Sequence, residues 1–236
     1  MSNRCMELVY HLKAFDLIGH QPELIRHDLL DDFSVKSGLE MPKAVKEFYG
    51  VRDAMDLLGN FSNCDQPLSP DQFDVITIGG KPAIAFLVEN QGCCTWAFQL
   101  DGTDDPPVWV DEGAARESPK WSATTATFSK FVFLRFFDFQ YFTQTLATAD
   151  EYYFDTKPVT QEALFQILRP FQQEDSTYDW PSATKHRFWR NDQRIVIFTM
   201  SDYSEWQLFA ATKSSRETLL AEVKQLCNEL SLEPRP

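Results

Sequence analysis

The stretch from residue 83 to residue 101, AIAFLVENQGCCTWAFQLD, places the first firm constraint on the fold. AIAFLVEN is a short and continuously apolar run, as expected of a strand that is covered on both faces. TWAFQLD alternates Trp96, Phe98 and Leu100 with polar or small residues, which is the two-residue period of a strand. An Asn-Gln-Gly segment, residues 90 to 92, separates the two runs, so we expect an antiparallel hairpin.

Earlier in the chain, the apolar residues follow helical spacing and not strand alternation. In the first thirty residues, apolar side chains recur three and four positions apart, which predicts two amphipathic helices separated near Gly19. Pro42 suits the first turn of a helix, and PKAVKEFYG predicts a third helix that ends at Gly50. VRDAMDLLG predicts a short fourth helix with its own terminal glycine, Gly59.

Beyond the hairpin the pattern returns first to strand and then to helix. DGTDDPP is acidic and rich in turn residues, and PVWVD predicts a third strand, which makes the sheet an antiparallel meander. Thr127 suits the N-cap of a Phe-rich helix whose broad apolar face can cover the sheet. These elements predict an α+β domain over residues 1 to 150.

Residues 151 to 236 predict a second, smaller α/β unit after a linker, ATADEYYFDTKP. VTQEALFQILRPF predicts a helix that its proline ends. Two strands flank an Asn191-Asp192 turn as a hairpin, and EWQLFAAT adds a third strand. SSRETLLAEVKQLCNEL predicts a closing helix capped at Ser214 or Ser215. The expected sheet of this unit is antiparallel and three-stranded.

The charge of the chain argues against nucleic acid as a partner. The formal net charge is −13, and residues 1 to 150 hold 12 Lys and Arg against 22 Asp and Glu, which gives −10. Residues 151 to 236 hold 10 against 13, which gives −3. Phosphate binding needs clustered Lys and Arg, which this balance does not offer. The acidic first part fits ordinary solubility or a basic protein partner, and charge alone leaves both interpretations open.

The sequence shows no sign of export or membrane insertion. The N-terminus, MSNRCMELVYHLKAF, has no uninterrupted apolar region followed by a small-residue cleavage site. Arg135 breaks the most apolar run, Phe131 to Phe137, which is far shorter than the roughly 20 residues that cross a bilayer. The number of cysteines, five, is odd, which without a secretory signal indicates reduced thiols. We therefore expect a cytoplasmic protein.

The adjacent cysteines in ENQGCCTWAF raise the question of a catalytic thiol. Gln91, the cysteine pair and Trp96 are similar to the surroundings of a papain-type nucleophile. Such a cysteine needs the start of a helix to lower its thiol pKa, whereas here both flanks have strand periodicity. His186 follows Cys94 by 92 positions, and the papain pattern expects about 130 to 150. We interpret Cys93 and Cys94 as structural thiols that pack as small apolar residues.

No other motif predicts catalysis or a cofactor. The sequence has no CxxC pair and no HExxH, so we expect no metal site. Gly79-Gly80 followed by lysine lacks the rest of a phosphate-binding loop, so we expect no nucleotide cofactor. The carboxylate pairs Asp31-Asp32, Asp104-Asp105 and Asp111-Glu112 are more typical of turns and solvated surface than of glycosidase acids, which must face each other in a cleft.

The order of the elements resembles the SUKH superfamily, which includes yeast cell-wall assembly regulators and bacterial immunity proteins. The proline-led helix, the glycine turn, the tryptophan-bearing strand, PVWV and the helix introduced by TFSKF follow one another as in that family over roughly residues 25 to 148. The resemblance places family fold markers at Pro42, Phe48, Tyr49, Gly92, Trp96, Pro107, Val108, Phe128 and Phe131. Met41 stands where the family usually has Leu.

The resemblance implies a protein that binds without catalysing a reaction. Many bacterial members are thought to neutralise a toxin that competing cells deliver, so the expected partner is a cognate and basic, nuclease-type toxin domain. An acidic surface suits such a partner because charge complementarity speeds the encounter. The expected contact region is the acidic turn and its surroundings, with Asp101, Asp104, Asp105, Asp111 and Glu112, and an ordinary solvated loop stays open as the other interpretation of these acids.

A different class of function stays open beside this one. An intracellular regulatory or scaffolding protein of the SUKH type would use residues 151 to 236 as another contact surface. The resemblance does not extend to that second unit, and the sequence assigns it no role. The oligomeric state, the identity of the partner and the face that binds it do not follow from the sequence either.

Overall fold

A computed structural model shows the α+β fold expected for the chain and describes residues 8–25, 28–62, 65–113, 119–139, 152–180 and 182–229. The chain divides into two compact units, Met1–Phe139 and Gln140–Pro236. Within the described residues each unit combines α-helices with one antiparallel sheet. The domain boundary expected near residue 150 lies outside the described residues.

In the described part of the N-terminal unit, four helices precede the sheet. They are α1 (Leu12–Leu17), α2 (Asp28–Ser37), α3 (Lys43–Tyr49) and α4 (Ala54–Asn60). Pro42 is the N-cap of α3 with extended backbone angles, and Gly50 is its C-cap, so both expected ends of this helix are confirmed. The first helix is shorter than its apolar spacing suggests because it begins only at Leu12.

The N-terminal sheet has six strands among the described residues. They are β1 (Gln66–Pro67), β2 (Val75–Ile78), β3 (Lys81–Val88), β4 (Thr95–Gln99), β5 (Val108–Asp111) and β6 (Trp121–Thr125). The order is β1-β3-β4-β5-β6, with β2 also paired to β3, and every pairing is antiparallel. The expected hairpin is β3 with β4, and the expected third strand is β5. The strands β1, β2 and β6 extend this meander on both sides.

The connection between β3 and β4 is a tight turn. Val88 pairs with Thr95, and the N–H of Glu89 donates to the carbonyl of Cys94 at 3.0 Å. The Glu89 carboxylate accepts the N–H groups of Gln91 at 2.8 Å and Cys93 at 3.2 Å. Gly92 has a φ of +71°, a conformation that glycine adopts without strain. The turn therefore fixes the strand register and positions Trp96 in the core.

The Phe-rich helix α5 (Phe128–Phe139) closes the N-terminal unit. The hydroxyl of Thr127 accepts the N–H of Lys130 at 3.2 Å, which confirms the expected cap. Phe128 is fully buried, and its ring lies edge-on to the rings of three neighbours from α3, β3 and β4. These neighbours are Phe48 at 5.6 Å, Phe86 at 5.2 Å and Phe98 at 5.7 Å between centroids.

A buried ion pair accompanies these aromatic rings. The Arg135 guanidinium lies 3.2 Å from the Asp65 carboxylate, and both side chains are only 4% exposed. The guanidinium carbon also lies 4.0 Å from the centre of the Trp96 ring, a cation–π contact. The arginine that interrupts the apolar run of α5 is therefore a core residue that joins the helix to the sheet and to the segment before β1.

The described residues of the C-terminal unit form a five-stranded sheet and two helices. Its elements are β7 (Tyr152–Thr156), α6 (Gln161–Ile167), β8 (Gln172–Asp179), β9 (Ala183–Arg190), β10 (Gln193–Thr199), β11 (Ser204–Phe209) and α7 (Lys213–Glu229). The order is β7-β11-β10-β9-β8. The three expected strands are β9, β10 and β11, but the expectation of three strands in total is wrong, because β7 and β8 add one strand at each edge.

One turn and one helix cap in this unit test the sequence predictions. Asn191 and Asp192 connect β9 and β10, and Asn191 has a φ of +55°, which asparagine tolerates better than most residues. The cap expected at Ser214 or Ser215 is wrong by two or three positions. The Thr212 hydroxyl accepts the N–H of Ser215 at 3.2 Å, so Thr212 caps α7.

Apolar residues of both helices cover one face of this sheet. The cluster contains Phe188, Ile195, Ile197, Trp206 and Leu208 from β9, β10 and β11. Leu164 of α6 and Leu219 and Val223 of α7 pack against it. Each unit thus has its own apolar core.

Candidate functional site

A groove opens in the N-terminal unit between the α2–α3 connection and the acidic β4–β5 turn. It is a cavity of about 300 Å³, and we call it the acidic groove. Half of its lining is apolar, from Leu39, Met41, Pro42, Pro82 and Leu100. Glu40, Lys43 and Asp104 supply charged groups to the other half. An apolar lining with a few charged groups at one place is typical of a binding site.

Backbone hydrogen bonds hold the two walls of the acidic groove together. The N–H of Ala44 in α3 donates to the carbonyl of Asp104 at 2.9 Å. The N–H of Leu100 donates to the carbonyl of Pro82 at 2.8 Å. Because these bonds join segments far apart in sequence, the groove exists only in the folded unit.

The acidic turn is shaped by its own carboxylate. Asp101 accepts the N–H of Thr103 at 3.0 Å and the hydroxyl of Thr103 at 2.7 Å. Partial burial raises the pKa of Asp101, but the hydrogen bonds from Thr103 and from the backbone, together with the charge of Lys81, outweigh it and hold the pKa below its ordinary value. Asp101 therefore serves the turn, and Thr103 and Asp104 are presented to the groove.

One ion pair lies within the acidic groove. The Lys43 ammonium is 2.8 Å from the Asp104 carboxylate, and the two side chains are 69% and 54% exposed. The hydrogen bond to Asp104 raises the pKa of Lys43. A pair this exposed contributes little to folding, because water and salt screen it and two long side chains must be ordered. The carboxylate of Asp104 thus remains available to an external cation.

The structure separates the remaining acids of the expected contact region from the groove. Asp105 accepts the N–H of Ser129 at 2.9 Å and also its hydroxyl, so it caps α5. Asp111 accepts the N–H of Lys120 at 2.7 Å, which ties the ends of β5 and β6. Asp111 is the last residue of β5 and Glu112 follows it, so the length of this strand, about 10 Å at about 3.3 Å per residue, separates them from the end that follows the acidic turn.

Sequence reasoning missed Glu40, Lys43 and the buried His11. The His11 Nε2 lies 2.9 Å from the carbonyl of Ala44, the residue whose N–H bonds the acidic turn. Its Nδ1 is buried without a partner, and desolvation lowers the pKa of His11. The clue for Lys43 was its place directly after Pro42. His11 carried no clue beyond lying in an apolar repeat.

The cysteines occupy structural positions. Cys94 is 1% exposed and directly precedes the strand β4, whereas a reactive thiol commonly sits at a helix N-terminus. Cys93 is half-buried in the turn, where its N–H is bound by Glu89. The downstream histidine, His186, bonds Ser176 in the C-terminal unit, with 2.9 Å between the ring Nδ1 and the hydroxyl. This geometry favours the interpretation of the two cysteines as structural.

A second cavity of about 340 Å³ lies in the C-terminal unit. Thr184, His186 and Thr199 line it from β9 and β10, together with residues 158–160 and Gln161, the first residue of α6. Burial lowers the pKa of His186 to about 4, so its ring is neutral at pH 7. An imidazole this weakly basic is a poor general base near neutrality. The acidic groove therefore offers the stronger candidate site.

Within the described ranges, no cluster of three or more His, Cys, Asp or Glu side chains has the arrangement to hold a metal ion. None of the helices in the described part of the chain combines the length and apolar character needed to cross a bilayer.

Comparisons of the chain with protein-family models, curated proteins and solved structures found no match. The SUKH relationship therefore stays a prediction from the order of motifs. The positions that carry this resemblance have clear structural roles. Pro42 caps α3, Gly92 forms the turn, the carbonyl of Pro107 accepts the N–H of Gln99, and the remaining markers are buried: Phe48, Tyr49, Trp96, Val108, Phe128 and Phe131.

Proposed function

We propose that the chain is a non-enzymatic protein-binding module, and specifically an immunity protein that binds and neutralises a cognate toxin. The proposed partner is a basic, nuclease-type domain, and the proposed place of action is the cytoplasm. The acidic groove is the proposed contact surface. Of the acids expected to form the contact region, only Asp104 lines that groove.

The observation that carries this proposal is the exposed carboxylate of Asp104 beside an apolar cavity in the acidic part of the chain. The ion pair with Lys43 is solvent-exposed, so a partner can replace it at small cost. The apolar lining supplies area that a partner can bury, which contributes about 25 cal/mol per Å².

Charge over the whole first part supports the same partner. Residues 1 to 150 carry a formal charge of −10, so a basic domain is attracted before contact. Such steering raises association rates by about 10- to 1,000-fold and weakens as salt is added. A nuclease needs a basic surface to bind phosphates, so an acidic protein on that surface blocks its substrate.

The test is binding and rescue with the full-length chain. If a neighbouring gene encodes a basic nuclease-type domain, co-expression should restore growth, and purified proteins should form a complex whose association slows with salt. The double variant Glu40→Lys, Asp104→Lys should reduce the association rate by about tenfold or more at low salt. Absence of both rescue and complex would refute the immunity function.

Asp32→Lys is the matched control for this experiment. Asp32 is an exposed carboxylate on α2 outside the groove lining, and each such replacement changes the charge by the same amount as one groove replacement. It should alter the rate only through net charge and leave the dissociation rate unchanged. An equal effect of Asp32→Lys and of Asp104→Lys alone would show that the partner senses the total charge and not the groove.

The two-unit organisation favours a second candidate function. A scaffolding or regulatory protein needs separate surfaces, and the C-terminal unit has its own apolar core. This function predicts two partners that bind the full chain together, where an immunity protein needs only one. Purification of the chain with two different proteins in equal amounts, without rescue from any toxin domain, would favour it.

A further inference from the structure

We infer that Lys43 occupies the place of a partner's cation, and that an arginine side chain from the partner displaces it when it binds the acidic groove. This inference rests on the proposed function, because it names the group by which a basic partner is recognised. The chain thus carries an internal competitor for its own binding site.

The geometry of Lys43 and Asp104 supports this exchange. The ammonium and carboxylate are 2.8 Å apart, and each side chain is more than half exposed. Asp104 is held by its backbone, through the N–H of Ala44, and not by its ion pair. Loss of the pair therefore leaves the groove intact, and Lys43 can turn to solvent with its charge hydrated.

A second carboxylate acts on the same position. Glu40 is exposed, lines the groove and adds to the charge that raises the pKa of Lys43. A guanidinium is planar and presents five N–H donors, so it can bind carboxylates on two sides, while an ammonium acts as a point charge. An external arginine is therefore a better ligand for this pair of acids than Lys43 itself.

The apolar lining suits the stem of such a side chain. Pro82 is exposed and Leu100 is half-buried, so these two supply most of the apolar surface of the groove, while Met41 and Pro42 line it but are buried. Arginine places its methylene groups along apolar surface while its charged end stays with polar partners. At about 300 Å³ the cavity lies at the lower end of ligand sites, so it fits one long side chain.

The test uses three short peptides and the full-length chain. The peptides are Ac-Gly-Arg-Gly-NH2, its lysine analogue and its norleucine analogue, which keeps the stem without the charge. Titration is followed by the amide NMR shifts of Ala44, Thr103 and Asp104. The arginine peptide should shift these amides, the lysine peptide should bind more weakly, and the norleucine peptide should not bind.

Variants separate competition from simple attraction. Lys43→Met should tighten arginine peptide binding by about two- to fivefold, the weight of one exposed ion pair. Glu40→Gln with Asp104→Asn should weaken it by about tenfold, because both charge-assisted acceptors are lost. Asp32→Asn, outside the groove, should change it less than twofold. A Lys43→Met variant that binds the arginine peptide no more tightly would overturn the competitor role.

The outcomes also distinguish this inference from the proposed function. Equal binding of the norleucine and arginine peptides, or shifts confined to residues outside the groove, would overturn the cation site. If a toxin domain binds the chain but binds the Glu40→Gln, Asp104→Asn variant equally well, the inference fails and the immunity function stands. If peptides bind as expected and no toxin domain binds, the immunity function fails.

Discussion

The two units hold their buried charges in different ways. In the N-terminal unit, Arg135 of α5 pairs with Asp65 at 3.2 Å, across seventy positions of sequence. In the C-terminal unit, Lys185 pairs with Asp179, also at 3.2 Å, but the two residues are six positions apart on the neighbouring strands β8 and β9. A buried ion pair therefore joins residues far apart in sequence in the N-terminal unit, and residues of one hairpin in the C-terminal unit.

The buried histidines repeat this contrast. His11 bonds the carbonyl of Ala44, 33 positions away, while His186 bonds Ser176, 10 positions away. Closing a long loop costs more chain entropy than closing a short one. The Arg135–Asp65 and His11–Ala44 contacts therefore depend on the whole N-terminal unit being folded, whereas the Lys185–Asp179 and His186–Ser176 contacts need only the β8–β9 hairpin.

The largest expected effect comes from breaking the buried ion pairs. Asp65→Asn leaves the buried Arg135 without its counter-charge and should lower the free energy of unfolding by about 3–5 kcal/mol. Asp179→Asn should cost less, about 1–3 kcal/mol, because β8 is an edge strand and can open locally. Urea denaturation measures the loss, and hydrogen exchange shows its extent.

The residues whose amides lose protection from hydrogen exchange show whether the N-terminal unit opens as a whole and the C-terminal unit only locally. Asp65→Asn should remove protection from α4 through α5 together, while Asp179→Asn should remove it mainly from β8 and β9. The double variant Asp65→Leu, Arg135→Met should recover most of the loss, since it removes both charges. Loss of protection confined to the segment around residue 65 would contradict the global assembly of the N-terminal unit.

Acid should weaken both units through their histidines. Burial lowers the pKa values of His11 and His186 in the folded chain, the latter to about 4. Below pH 6.5, the ordinary pKa of histidine, the unfolded chain therefore binds more protons than the folded chain. The contribution of each histidine to the free energy of unfolding is fully present above pH 6.5. It falls toward pH 4 by at most about 1.4 kcal/mol per pH unit for each histidine. Urea midpoints from pH 8 to pH 4 measure this slope.

Removing one histidine at a time sharpens the comparison. His11→Gln should flatten the pH dependence of exchange in the N-terminal unit only, and His186→Gln in the C-terminal unit only. Glu47 and Asp105 favour the charged form of His11, while Arg187 opposes the charged form of His186. His186→Gln should remove its part of the slope down to about pH 4, and an unchanged slope in this variant would refute its role.

The two hairpin turns should respond to opposite changes. Gly92→Ala should cost about 1–2 kcal/mol, because a φ of +71° is strained for alanine although no atom lies within 4 Å of its Cβ. Asn191→Gly keeps a residue that accepts a positive φ and should change stability by less than about 0.5 kcal/mol. Thermal unfolding measures both, and a large loss from Asn191→Gly would reveal a side-chain role for Asn191.

The smallest effects are expected at the helix caps. Thr212→Ala should cost about 1 kcal/mol, because its hydroxyl is the cap of α7. Thr127→Ala should cost about half as much, because Asp105 also bonds the first turn of α5. Ser214→Ala is the control, since it follows the observed cap, and should be neutral. A loss from Ser214→Ala equal to that from Thr212→Ala would contradict this assignment.

Periodicity predicted the elements that have one buried face. The helix after Pro42, the hairpin around Gly92, the Phe-rich helix and the hairpin at Asn191 all lie where the pattern placed them. Three of the strands it missed lack that signal. β8 is the polar run QQEDSTYD at a sheet edge, β7 lies in an expected linker, and β1 has only two residues.

The candidate site was harder to predict because one residue type can serve several roles. Five acids near the acidic turn formed one expected contact region, but the structure uses Asp101 in the turn, Asp105 as a helix cap and Asp111 as a strand tie. Asp104 alone among them lines the groove. Net charge is visible in a sequence, whereas the hydrogen bonds that occupy each carboxylate are not.

Local pattern and composition were enough to predict the α+β class, the acidic character, the helix after Pro42, the Phe-rich helix and the two hairpins. The packing of the whole unit, in contrast, makes Arg135 a core residue, brings His11 to the carbonyl of Ala44 and places Glu40, Lys43 and Asp104 around one groove. These contacts join residues 33 to 70 positions apart, and their partners are chosen by packing of the whole unit rather than by neighbours in the chain.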